Sequence, residues 1–178
     1  MNRLLLPALP FLFISSFVFS QAKNDTLHWK ENKPLSWENF KGKPKNGMSG
    51  EAFCNLEAAY EKPNPLKKTK FKIFAVWNTQ KSWIDPKSKN ADELLYYQVL
   101  FNIYEVHVRQ LKKELTETKT GLDPEKTFRA KYNEADASLT EDCRSYREET
   151  DEGAEKEELN AWDEKIKKQL KDLEQFRE

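Results

Sequence analysis

The chain has 178 residues, with 30 Lys plus Arg against 30 Asp plus Glu. That balance leaves no net field to draw in nucleic acid or an anionic membrane surface, so any partner must be recognised locally. Eleven Phe, six Tyr and five Trp supply bulky core material that a disordered chain with 34% charged residues would lack.

In chain order, Arg3 is the only charged side chain before an apolar run from Leu4-Leu5-Leu6 to Phe17-Val18-Phe19, and small or polar residues follow. This charged, apolar, cleavable layout is that of a signal peptide, with Val18 and Ser20 suited to the positions before a cut ahead of Gln21. Pro7 and Pro10 interrupt the run, which is too short for a comfortable membrane span. Residues 1–20 are therefore expected to be removed. That leaves a single domain over 21–178, secreted or periplasmic, with no integral membrane span. Asn24-Asp25-Thr26 has the form of a glycosylation sequon, a pattern too short to carry weight.

From Thr26 to Ile84 the pattern is strand-like and punctuated by Pro34, Gly42, Pro44, Gly47, Gly50, Pro63 and Pro65, which leaves no room for long helices. Cys54, Leu56, Ala58 and Tyr60 alternate with Asn55, Glu57 and Ala59 as in a half-buried strand. Phe71 to Trp77 has apolar residues on both faces and reads as a central strand.

The periodicity changes at Asn90. Asn90 and Glu93 have the spacing of a helix start, and Leu94, Tyr97, Phe101, Tyr104, Val108, Leu111 and Leu115 then recur at three and four, predicting a helix to about Thr118. Leu95, Val99, Leu100, Ile103 and Val106 make its first half apolar nearly all round, as expected of a buried helix. Gly121 suits its end, and Asp123-Pro124 suits the start of the next as N-cap and first helical residue. Phe128, Tyr132, Ala135, Leu139, Cys143 and Tyr146 stripe that second helix. Leu159, Trp162, Ile166, Leu170, Leu173 and Phe176 stripe a third, with Gly153 between the two. Strands first and helices after make an α+β domain.

Cys54 and Cys143 are the only cysteines. A disulfide is one reading in an exported chain and two buried free thiols the other, and the residues leave both open. A bridge would close a long loop, worth ~4 kcal/mol in the chain-entropy account.

Four stretches, in order, resemble one family. They are Leu35-Ser36-Trp37-Glu38-Asn39-Phe40-Lys41-Gly42, Ser82-Trp83 after a strand, the helix from Leu94 to Leu115, and Tyr146-Arg147-Glu148-Glu149-Thr150-Asp151-Glu152-Gly153 with Trp162 and Ile166. Together they look like the bacterial secreted domain-of-unknown-function family 922, described as a predicted zinc-dependent protease. The likeness spans nearly the whole chain after the leader. It implies a zincin-like fold, with a small, mostly antiparallel sheet packed on the central helix and two further helices behind.

The family's motif on that helix is H-E-Q-x-H-F-D-I. Two His four apart share a zinc ion, the Glu takes a proton from metal-bound water, and a downstream His completes the ligand set. Aligned through Gln98 and Phe101-Asn102-Ile103, this chain has Tyr96 at the first His, Tyr97 at the catalytic Glu, Leu100 at the second His and Glu152 at the downstream His. Neutral Tyr is a poor zinc ligand and Leu is none, so the resemblance implies a member without catalytic residues, metal or cofactor. Phe101, Ile103, Glu105, Arg109 and Leu111 keep the pattern that follows the motif.

No other chemistry is spelled out. His107 has Ile103 and Leu111 at its helical neighbours, and His28 stands beside Trp29 with no ligand-type residue at helical spacing. Ser36, Ser82 and Ser145 lack a nucleophile-elbow context, and five glycines build no phosphate loop. Tyr96, Tyr97, Phe101 and Tyr104 read as core before they read as a binding surface. The expectation is a non-catalytic exported homologue with a peptide- or protein-binding or structural role. The alternative is a metallohydrolase with atypical ligands, for instance Glu152, His107 and a carboxylate.

Overall fold

The computed structural model describes residues 25–61, 70–118 and 123–177. Residues 1–20, expected to be a leader, Asn24 of the sequon and Gly121 lie outside them. Five strands precede three helices: β1 (Thr26–His28), β2 (Gly50–Glu51), β3 (Cys54–Glu61), β4 (Lys70–Asn78), β5 (Trp83–Ile84), α1 (Ala91–Glu117), α2 (Pro124–Glu149) and α3 (Lys156–Asp172). The α+β order is as expected from the sequence.

Strands form two small antiparallel sheets instead of one. The larger has the order β1-β4-β3, with β4 central, and the smaller pairs β2 with β5. Alternation along β3 sends Cys54, Leu56, Ala58 and Tyr60 to the face shared with Trp77, Ala75, Ile73 and Phe71 of β4, their antiparallel partners. Leu56, Ile73, Ala75 and Trp77 are buried there. Val76, on the other face of β4, is buried as well, in keeping with a centre strand.

Helix α1 starts where the capping signal stands, with Asn90 Oδ1 accepting from the Glu93 amide at 2.9 Å. Val99, Ile103, Val108 and Leu111 are fully buried, because the sheet covers one side of the helix and α2 and α3 cover the other. Asp123 caps α2 through the Lys126 amide, and Pro124 occupies the first turn. Helix α3 buries Leu159, Trp162 and Ile166 and leaves Lys165, Lys167, Lys168 and Lys171 in solvent. It ends earlier than the stripe suggests: the Leu173 amide closes the last turn on Gln169, and Phe176 sits in a separate 3-10 turn.

Candidate functional site

The four residues that the resemblance aligns with the motif, Tyr96, Tyr97, Leu100 and Glu152, come from two elements that the fold brings together. Tyr96, Tyr97 and Leu100 occupy the first turns of α1, and all three are buried. Glu152 lies in the turn between α2 and α3, with φ 53° and ψ 30°, and is exposed. Its carboxylate raises the pKa of Glu93, Tyr96 and Tyr97 alike, which places it at the end of α1 that carries them. An open cavity of about 560 Å³ lies there, bordered by Asn90, Asp92, Glu93, Asp151, Glu152 and Lys156.

Below that mouth the interior is packed with rings. Tyr96 stacks on Tyr146 at 5.1 Å, meets Tyr97 edge-on at 5.2 Å, and receives the Tyr146 hydroxyl on its backbone carbonyl at 2.9 Å. Tyr146 in turn meets Trp162, and Tyr97 meets Phe40 and Trp77. The Tyr97 hydroxyl bonds the Glu93 carboxylate one turn earlier and lies so close to Gly50 that a side chain there would collide with it. Burial lifts the Tyr96 phenol to about 12 and the Tyr97 and Tyr146 phenols further, so all three stay neutral donors. Burial also raises Glu93, and the neighbouring Glu152 adds to it against the Tyr97 hydrogen bond. The chemistry available in this cluster is packing and hydrogen bonding. Among the described residues, no three His, Cys, Asp or Glu side chains meet in a way that could hold a metal ion.

The alternative ligand set is not assembled. His107 stands about 16 Å along α1 from Tyr96, and its Nε2 is 2.9 Å from Asp142 Oδ2 on α2. Burial lowers its pKa in spite of that carboxylate, and Nδ1 is buried without a partner. His28 stacks on Phe74 at the sheet's outer face, ring centroids 4.7 Å apart. Neither histidine approaches Glu152, because each is held by a local contact of its own.

The same face of α1 continues to Tyr104, two turns beyond Tyr96. There a groove of about 550 Å³ opens between the edge strand β3 and α2, lined by Asn55, Leu56, Tyr104, Cys143 and Arg147 among others. Register places the outward main-chain groups of β3 on Cys54, Leu56, Ala58 and Tyr60, since the amide of Asn78 on β4 bonds back to Phe53 and the pattern alternates from there. The Tyr132 hydroxyl reaches the Leu56 carbonyl at 3.4 Å. Cys54 and Cys143 are not bonded to each other in this structure, and burial raises both thiols, Cys143 to about 11. Arg147 is exposed at the groove's edge and lowers Tyr104 and both thiols. Reading by motif missed Arg147; its one signal was a cation four residues beyond Cys143 on the helical stripe.

A further cavity of about 690 Å³ touches none of the predicted site residues. It lies between the 28–32 segment, β4 and α1, over the buried pair in which Arg109 Nε donates to Glu105 Oε1 at 2.8 Å. Arg109 also donates to the Leu170 carbonyl and stacks its guanidinium on Trp29, 5.1 Å from the ring centre. Glu105 and Arg109 therefore hold α1 to the N-terminal segment and to the end of α3.

Among the described residues, no helix is long and apolar enough to cross a membrane. Compared with known protein families, curated proteins and solved structures, the chain finds no match.

Proposed function

We propose that the chain is an exported, non-catalytic protein of zincin-like descent that binds an extended peptide or protein segment in the groove between β3 and α2. What supports this reading is that Tyr96 and Tyr97 pack with Tyr146 as a buried ring cluster at one end of α1, with Leu100 buried and Glu152 exposed above, while two turns along the same helix an unfilled groove remains. Such a groove meets the needs of a peptide. An edge strand offers main-chain pairing, Leu56 and Leu139 offer apolar contact, Tyr104 offers a ring with a polar tip, and Arg147 offers a fork for a carboxylate.

The test uses the chain from residue 21 onward on an array of octapeptides of mixed sequence. Bound peptides are expected to share an acidic group, to lose affinity when a central amide is N-methylated, and to bind Arg147→Ala about tenfold more weakly, the loss of one charge-assisted pair. Chelator-sensitive cleavage of casein by the same preparation, or an array on which Arg147→Ala changes nothing, would end this reading.

A further inference from the structure

The two elements that border that groove carry one cysteine each: Cys54 begins β3, next to the lining residue Asn55, and Cys143 on α2 lines the groove. On β3, Cys54 points to the same face as Leu56, Ala58 and Tyr60; on α2, Cys143 belongs to the stripe of Phe128, Tyr132 and Leu139 that packs on this face. The two elements run antiparallel to one another. At one end Phe128 stacks over Tyr60 at 5.9 Å, and further along Tyr132 reaches Leu56. From Phe128, Cys143 lies about 22 Å along the helix, and from Tyr60, Cys54 lies about 20 Å back along the strand. The near-equal rises bring the two thiols to the same level on facing surfaces. Both thiols also raise the pKa of the Tyr104 phenol, and Cys143 raises that of Cys54, in keeping with their neighbourhood.

We propose that Cys54 and Cys143 are joined as an intramolecular disulfide in the exported protein, tying the edge strand to α2 and setting the width of the groove. The pairing rests on the export half of the reading above and is independent of peptide binding. The oxidant is a disulfide of the exported compartment, protein-borne or of low molecular mass. One thiolate attacks it to form a mixed disulfide, and the second thiolate displaces the carrier. Two cysteine thiols and one carrier disulfide become one Cys54–Cys143 bond and two carrier thiols, with two electrons passed to the carrier. Burial suppresses both thiolates once the fold is complete, so exchange takes place as the chain folds and the finished bond is shielded.

The test exports the full chain from its own leader and blocks free thiols with iodoacetamide at harvest, under denaturing conditions. Neither cysteine should be alkylated before reduction and both after it, with a proteolytic map linking the two segments. Alkylation of both without reductant overturns the proposal. In parallel, the reduced chain from residue 21 is refolded with oxidised glutathione. The internal bond is expected, and glutathione adducts on both cysteines with no internal bond would refute the facing geometry, whatever the export result. The oxidised form should melt about 10 °C above the reduced one. Cys54→Ser, Cys143→Ser and the double variant should then share one reductant-insensitive melting point. Additive losses, with wild type indifferent to reductant, would assign the cysteines to packing alone and sink the pairing.

Discussion

Gly153 lies directly against Tyr96: a Cβ placed on Gly153 would stand 3.0 Å from the Cγ of the Tyr96 ring. Its φ of 96°, with Asp151 and Glu152 also in the left-handed region, lets the turn between α2 and α3 press down on the first turns of α1. That contact delivers Glu152 to the mouth above the tyrosines.

Gly153→Ala should therefore cost about 2 kcal/mol or more, from backbone strain and collision with a ring that is itself stacked on Tyr146. Urea unfolding would show it as a lower midpoint at unchanged slope. A midpoint equal to wild type would mean that the turn does not bear on Tyr96.

On the proposed zincin-like descent, placing histidines and a glutamate at the aligned positions should create a zinc site. The variant Tyr96→His, Tyr97→Glu, Leu100→His and Glu152→His is expected to bind zinc at one ion per chain, because the four positions share one end of α1 and its covering turn. Wild type purified without chelators should bring down no stoichiometric zinc. Elemental analysis reads both, and a restored variant that stays empty would refute the alignment of these four positions.

Acid should weaken the fold through His107. Its folded pKa is lowered, chiefly by burial, so below about 6.5 the unfolded chain binds the proton more readily than the native one. The stabilisation is complete above the ordinary histidine range and is lost as the pH falls through it toward the folded value. Denaturant midpoints measured from pH 8 to pH 5 should fall less steeply in His107→Gln, which can still bond Asp142 but does not titrate. Parallel curves would rule out this histidine as the source.

The buried Arg109–Glu105 pair beside the cavity of His28, Trp29 and Ala75 should matter more to stability than to binding. Arg109→Ala leaves Glu105 buried beside an empty space and removes the guanidinium from Trp29 and the Leu170 carbonyl, a loss of about 3–5 kcal/mol. Thermal melts should register that loss. The effect on peptide binding, measured below the lowered melting point, is expected to be slight, since Arg109 lies away from the groove.

The helices were legible because local rules sufficed for them. Asn90 and Asp123 cap α1 and α2 as their side-chain chemistry dictates, and apolar spacing marked the buried faces. The central place of β4 was equally readable from its apolar residues on both faces. Splitting of the strands into two sheets was not, since pairing partners are chosen by contacts between segments far apart in the chain.

Sequence alone determined which residue types stand at the positions that the resemblance aligns with the motif: Tyr96, Tyr97, Leu100 and Glu152, with no imidazole among them. It also established the α+β order, because caps and periodicity act over a few residues. Only the tertiary structure decided that the turn carrying Glu152 packs Gly153 against Tyr96, that His107 pairs with Asp142, and that Cys143 lines a groove with Tyr104 and Arg147. Those relations depend on how a strand, a helix and a turn distant in sequence settle against one another, and close packing of the whole core fixes that arrangement.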